Sequence, residues 1–162
     1  MKKLFLFLAL FSTLVSGAQK MSNPKAECEA LMNEALPFAE KMLQEHGEFF
    51  PYGNALNNKG EVVLVAGYDG REQPPSSDLI KLINQGFVSG AKSGQYKATA
   101  LVYDVRIKVG ASDEKTDAIA VSLNHKDNYS VVVVFPYTLK DGKLTFGELM
   151  AEEGEYDVFT TK

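Results

Sequence analysis

Apolar residues recur at steps of three and four along residues 24–46, and this spacing predicts an amphipathic helix. Asn23 followed by Pro24 suits a helix start, because asparagine caps the first turn and proline fits its first position. Gly47 suits the end of the helix. Pro37 lies inside the pattern and predicts a kink or a split near Leu36. The apolar stripe comprises Cys28, Leu31, Met32, Ala35, Phe38, Ala39, Met42 and Leu43.

A second helix is predicted from Ser76 and Ser77, which can cap its start, with Asp78 favourable in the first turn. Gly86 and Gly90 lower its helix propensity and are explained if the helix approaches a sheet closely. The apolar stripe of this helix comprises Leu79, Ile80, Ile83 and Phe87.

Alternating or continuous apolar runs predict strands elsewhere. The runs are 49–56 and 61–67, joined by a hairpin turn, and 96–109, 117–124, 129–137 and 144–150. The alternation changes phase within 96–109, which indicates either a bulge or a first half that is covered on both sides. The acidic tail after these strands can add one more short extended piece.

The resulting order is α-β-β-α-β-β-β-β. Helices do not alternate one for one with strands, so parallel winding is not expected. We predict an α+β fold, with an antiparallel sheet of about five to six strands and both helices packed on one face.

The N-terminus has the three-part order of a cleavable signal peptide. Lys2 and Lys3 precede an apolar run at 4–14, which is too short to span a bilayer, and small residues end at Ala18. We therefore expect cleavage to leave a single domain, residues 19–162, in the periplasm or outside the cell. Gln19 follows the cleavage site, so no lipid anchor is expected.

The net charge and the cysteine content limit the classes of partner and of chemistry that the sequence favours. The net charge is −4 for the whole chain, and without the two leader lysines 15 basic residues face 21 acidic ones, giving −6. This balance argues against nucleic acid or an anionic membrane as partner. Cys28 is the only cysteine, so no intrachain disulfide can form, and we interpret it as a small apolar helix residue.

Few residues carry an obvious chemistry. His46 and His125 are the only histidines, so a site of several histidines is impossible, and no nucleotide-binding or calcium-loop motif is present. We predict no metal and no cofactor. His46 suits the end of the first helix, and His125 is interpreted as a solvated turn residue. Arg106 is interpreted as half of a cross-strand charge pair.

The stretch EHGEFFPYGNAL, residues 45–56, is the best candidate for the rim of a ligand pocket. Its aromatic residues follow the helix end directly, and a polar loop at 67–75 follows the next strand. The structural interpretation is that the aromatic residues anchor the chain between a helix and a strand. The candidate binding residues are His46, Glu48, Phe50, Tyr52, Tyr68, Asp69 and Arg71.

The same stretch resembles a pattern, H-G-x-F-x-P-[YF]-[GA] followed by G-E-V, of small uncharacterised bacterial α+β domains. The matching residues are His46, Gly47, Phe49, Pro51, Tyr52, Gly53, Gly60, Glu61 and Val62. The resemblance implies an α+β fold and no particular activity.

Together these features predict an exported bacterial protein that is a non-catalytic binding or inhibitor/immunity-type module, with another envelope or secreted protein as its partner. The alternative is an enzyme whose site gathers around His46–Tyr52. It requires His46, Glu48 and Tyr52, with Asp69 or Arg71 as further candidates, to converge within hydrogen-bond reach. A third hypothesis is an oligomerising domain that pairs through the strand 144–150 at a sheet edge.

Overall fold

A computed structural model of the chain describes residues 23–68, 70–108, 110 and 114–160. The expected leader and its cleavage site lie outside these residues, and so does the candidate residue Asp69. Neither of the described helices has the length and hydropathy that a membrane-spanning segment needs.

The described chain folds into two helices and seven strands, which confirms the α+β class and the antiparallel sheet. The predicted final strand 144–150 is divided into two strands, so the sheet has one strand more than the upper estimate. In chain order the elements are α1 (Pro24–His46), β1 (Tyr52–Asn57), β2 (Val62–Val65), α2 (Ser76–Lys92), β3 (Tyr96–Lys108), β4 (Lys115–His125), β5 (Tyr129–Lys140), β6 (Lys143–Phe146) and β7 (Met150–Glu153).

Helix α1 begins and ends where the sequence places its signals. The Asn23 side chain accepts a hydrogen bond from the Ala26 N–H at 3.1 Å. Gly47 has φ 77°, and its N–H donates to the Leu43 carbonyl at 2.9 Å. A left-handed residue at this position favours glycine. The helix continues through Pro37, so the predicted split near Leu36 does not occur.

The sheet runs in the order β2-β1-β3-β4-β5-β6, and every neighbouring pair is antiparallel. Strand β7 pairs with the first half of β5, whereas β6 pairs with its second half. Strand β2 is therefore at one edge of the sheet. The interpretation of Arg106 is confirmed, because it faces Asp117 across β3 and β4, with Nε 3.1 Å from Oδ1.

The prediction that both helices pack on one face is wrong. Helix α1 packs on one face, against Tyr52, Val102 and Val121 among others. Helix α2 packs on the other face, where Ile83 and Phe87 contact Ala55 and Leu101. The reason lies in the first half of β3, where residues 98–102 are all buried, so that this part of the strand needs cover on both sides. The phase change in the sequence reflects this double cover.

Helix α2 lies unusually close to β1 because Gly53 has no side chain. A Cβ at Gly53 would collide with the Phe87 ring and lie 2.8 Å from Cγ2 of Ile83. Near the C-terminal end of α2, a Cβ at Gly90 would collide with the Tyr96 ring. The predicted close approach is thus confirmed for Gly90.

Candidate functional site

A cavity of about 900 Å³ lies on the face of the sheet that α1 occupies. Its walls come from α1, from the connection between α1 and β1, from β1 and β2, and from residues 66–68 and 71–74, which precede α2. Phe38 and Met42 line it from the helix, and Asn54 and Leu64 line it from the sheet.

The cavity exists because α1 does not cover the edge of the sheet. The helix packs mainly over β3 and β4 and leaves β2 open. Asn54 pairs with Leu64, so Leu64 belongs to the same sheet face as Asn54 and the neighbouring Tyr52. All four residues of β2 are apolar, yet Leu64 is 65% exposed because no helix covers it. Strand β2 therefore gives the cavity an apolar wall that is open to water.

The rim of the cavity is apolar and aromatic. Phe38 and Phe50 are each 50% exposed and Tyr68 is 79% exposed, and all three line the cavity with Leu64. Isolated exposed apolar residues are common in soluble proteins, but a group of large ones around one concavity indicates a binding surface. Four of the ten large apolar residues that are exposed in the described chain belong to this group.

Tyr52 forms part of the lining and also joins the sheet to α1. Its hydroxyl donates to the Ala35 carbonyl at 2.8 Å and accepts from the Ala39 N–H at 3.1 Å. In an uninterrupted α-helix these two backbone groups pair with each other. Pro37 lies between them and lacks the N–H that would bond to the Asn33 carbonyl, so the hydroxyl supports a turn that has one backbone hydrogen bond fewer. Burial raises the pKa of Tyr52 despite the hydrogen bond from Ala39.

Two further rings complete this cluster. Phe38 meets Tyr52 edge to face, with centroids 4.9 Å apart, and Phe49 meets it at 6.1 Å. Edge-to-face pairs add roughly 0.5–1.5 kcal/mol beyond area burial. Phe49 and Tyr52 therefore act as anchors, as the structural interpretation predicts, whereas Phe50 is half exposed; all three line the cavity.

The polar lining includes five charged residues, the exposed carboxylates of Glu34, Glu48 and Glu72 and two basic residues. His46 and Arg71 are its basic residues, and each lies near a carboxylate that is not part of the lining. The Arg71 guanidinium is 2.6 Å from Asp78 Oδ2, and His46 Nε2 is 3.8 Å from Glu45 Oε2. Asn54 lies on the sheet side, and its Oδ1 is the only buried side-chain nitrogen or oxygen without a hydrogen-bond partner among the described residues.

The structure brings six of the seven candidate residues to this one cavity: His46, Glu48, Phe50, Tyr52, Tyr68 and Arg71. Sequence reasoning missed Phe38, Asn54 and Leu64. Phe38 belongs to the predicted apolar stripe of α1, and its position at the rim depends on where α1 stops covering the sheet. The apolar run of β2 at a sheet edge was the one available signal for Leu64.

His125 corrects another prediction. It is the last residue of β4, and its side chain is fully buried rather than solvated in a turn. Its Nδ1 accepts from the Asp127 N–H at 3.1 Å, which leaves Nε2 to face Glu27 Oε2 at 3.0 Å. Lys97 Nζ lies 2.9 Å from the other Glu27 oxygen.

This network ties α1 to β3 and β4 far from the cavity. Burial alone would raise the pKa of Glu27, but the hydrogen bonds from Lys97 and His125 outweigh it and hold the pKa below its usual value. No partner with a reactive hydroxyl or thiol is bonded to His125 in the described part of the chain, so the geometry is that of a structural ion pair.

Two further features could carry chemistry, the thiol of Cys28 and a cluster of metal-binding side chains. Cys28 is completely buried in α1, and burial, with Glu27 and Glu29 nearby, raises its pKa to about 12. It is the apolar helix residue that the sequence predicts. The described residues contain no cluster of three or more His, Cys, Asp or Glu side chains with the arrangement of a metal site.

In comparisons with known proteins, no family model matches the chain, and neither a curated protein nor a solved structure gives a significant match. The resemblance of residues 46–62 to a motif of small bacterial domains stays a prediction.

Proposed function

We propose that this protein is an exported, non-catalytic binding module that takes up a small apolar molecule in the cavity between α1 and the β1–β2 edge. The proposal keeps the predicted class of a binding module but changes its partner from another protein to a small ligand. With the predicted leader at residues 1–18, the proposed location is the periplasm or the outside of the cell.

The observation that carries the proposal is the convergence of exposed aromatic and aliphatic residues on one concavity. A volume of about 900 Å³ falls within the roughly 300–1,000 Å³ typical of ligand sites. Such sites are lined mainly by apolar and aromatic side chains with a few polar groups. Filling the cavity would cover Phe50, Leu64 and Tyr68, which otherwise remain in contact with water.

The enzyme alternative has less support from the geometry. It needs His46, Glu48 and Tyr52 to interact, but the Tyr52 hydroxyl is bonded to the backbone of Ala35 and Ala39. The His46 side chain is 62% exposed, and its nearest carboxylate in the described chain is that of Glu45 at 3.8 Å. These side chains share a cavity without forming a catalytic pair.

The test is binding of Nile red, a neutral apolar dye whose fluorescence rises in a dry site, to the protein purified after export. We expect saturable binding of about one dye per chain. Leu64→Ser should weaken it by about tenfold, because the lost side chain contributes roughly 1.5 kcal/mol or more of apolar contact.

Leu149→Ser is the matched control. Leu149 is 57% exposed, close to the 65% of Leu64, but it does not line the cavity. Both variants should keep the fold, since each residue is largely exposed. Equal effects of the two substitutions, or dye binding that does not saturate, would show that the dye reports general surface hydrophobicity and would refute the proposal.

A further inference from the structure

Strand β2 is an edge of the sheet with unused backbone hydrogen-bonding groups. The sheet order ends at β2, and no described strand pairs with its outer side. The Asn57 N–H donates to the Glu61 carbonyl at 3.0 Å, and hydrogen-bonded pairs alternate with non-hydrogen-bonded pairs along an antiparallel ladder. In the register of β1 and β2, the backbone N–H and C=O groups of Val62 and Leu64 therefore point away from β1.

The side chains of β2 leave this edge open to another strand. Val62 and Leu64 are 40% and 65% exposed on the face of the sheet that α1 occupies, and Val63 is 39% exposed on the other face. Native edge strands commonly carry charged residues, prolines or bulges that prevent pairing with a further strand. The sequence of β2, VVLV, has no charge and no proline, and its register with β1 is regular.

The opposite edge of the sheet carries the charges that β2 lacks. It consists of β6 and β7, which pair with different halves of β5. Strand β7 ends with the exposed residues Glu152 and Glu153, and β6 begins with the exposed Lys143. Pairing β7 with a second copy of itself would bring like charges close together. Self-association through β2 therefore has more support than the hypothesis of pairing through residues 144–150.

We infer that two copies of this chain pair through β2, antiparallel to each other and around a two-fold axis at Val63. Val62 of each copy then lies opposite Leu64 of the other, and both N–H···O bonds of each such pair can form, because these residues point outward. An axis at Val62 would place Leu64 opposite Gly60. An axis at Leu64 would place Val62 opposite Ala66. Gly60 and Ala66 lie outside β2, so the axis at Val63 is the arrangement that pairs strand residues with strand residues.

A second copy suits this edge because the pairing matches its side chains. Val62 meets Leu64 on one face, and Val63 meets its own counterpart on the other. The next residue, Glu61, lies opposite Val65, so no like charges face each other. Residues that are directly opposite share one face of a sheet, and Leu64 lines the cavity. Val62 of the second copy therefore lies beside Leu64 and adds an apolar residue to the cavity wall.

The first test is sedimentation velocity of the protein purified after export, at concentrations up to about 0.1 mM. We expect a concentration-dependent species of twice the mass of one chain. Val63→Lys and Val63→Glu should each be monomeric, because the axis places like charges directly opposite, and an equimolar mixture of the two should form the dimer again. Leu149→Lys is the control and should stay dimeric, since Leu149 is 57% exposed but lies outside β2. Circular dichroism checks that each variant is folded.

The second test is oxidative cross-linking, which checks the position of the axis without a charged substitution. In Val63→Cys the two cysteines form a non-hydrogen-bonded pair with Cα atoms about 4.5 Å apart, within the roughly 4.4–6.8 Å that a disulfide spans. In Leu64→Cys they are diagonal neighbours about 7–8 Å apart. We expect Val63→Cys to cross-link at least tenfold faster, although Leu64 is the more exposed residue. Cys28 is left in place because it is completely buried.

Three outcomes would overturn the inference: a chain that stays monomeric at these concentrations, a dimer that persists in both charged variants, or cross-linking of Leu64→Cys as fast as that of Val63→Cys. The inference does not rest on ligand binding, so the two proposals can fail separately. A monomer that binds Nile red saturably would overturn the inference alone. A dimer without saturable dye binding would overturn the proposed function alone.

Discussion

Replacing Tyr52 by phenylalanine removes a single hydroxyl that holds two backbone groups of α1. Tyr52 is 5% exposed, and the two alanines that it bridges are at most 1% exposed. The ring remains in place in the variant, so its contacts with Phe38 and Phe49 are retained. Only the two hydrogen bonds, of 2.8 and 3.1 Å, are lost.

The size of the effect follows from what remains buried. Each unsatisfied group costs about 1–3 kcal/mol, but the Ala39 N–H and the Ala35 carbonyl are four residues apart in the helix and can bond to each other in the variant. We therefore expect a net loss of about 1–3 kcal/mol and a decrease in Tm of about 3–10 °C for a domain of this size.

The assay is urea denaturation followed by far-ultraviolet circular dichroism, with a thermal melt in parallel. Tyr68→Phe is the matched control, because it removes the same hydroxyl from a residue that is 79% exposed. It should change stability by less than about 0.5 kcal/mol. If Tyr52→Phe is as stable as Tyr68→Phe, the hydroxyl bridge does not stabilise α1 and the argument from Pro37 is wrong.

Three further predictions concern packing, pH and reactivity. Gly53→Ala should destabilise the fold by about 1–3 kcal/mol in urea denaturation, because the packing of α2 against β1 leaves no room for a Cβ. Gly147→Ala is the control and should not destabilise the fold in this way, since the nearest atom to its Cβ is 3.5 Å away. Similar losses for the two variants would contradict the close packing at Gly53. Because the Glu27 pKa is lowered below 4.5 in the folded state, the stability that its carboxylate contributes is present above about pH 4.5 and is lost as pH falls further. Glu27→Gln should therefore be less stable than the wild type near pH 7, and the difference in unfolding free energy should narrow on acidification. A difference that is constant with pH would exclude the ion pair as its cause. The Cys28 thiol should react with iodoacetamide only after unfolding, and rapid labelling of the native protein, detected by mass spectrometry, would show that α1 opens locally.

Local signals in the sequence predict most elements of this fold. The caps of α1, the hairpin before β2 and the alternation in β4 each depend on neighbouring residues, and each lies close to its predicted position. The α+β class follows from the order of the elements alone. The site segment at 45–56 is also visible, because aromatic residues and a proline follow a helix-ending glycine.

The arrangement of the layers could not be predicted in the same way. Helix α2 packs on the face opposite α1 because residues 98–102 are buried on both sides of the sheet. In the sequence these residues form a short apolar run, which does not show whether one face or both faces of the strand are covered. The burial of His125 likewise depends on Glu27, which is 98 residues away in the chain. The cavity itself arises from the uncovered edge at β2, a property of tertiary packing alone.

The most direct test of the central claim is an amide NMR titration of the protein with decanol. A neutral probe tests for the cavity without relying on the charge of the ligand. If the cavity is the ligand site, shift changes will saturate and concentrate in residues 34–54 and 64–74. Changes centred on residues 146–150, where Phe146, Leu149 and Met150 are also exposed, or changes spread over the whole surface would contradict it.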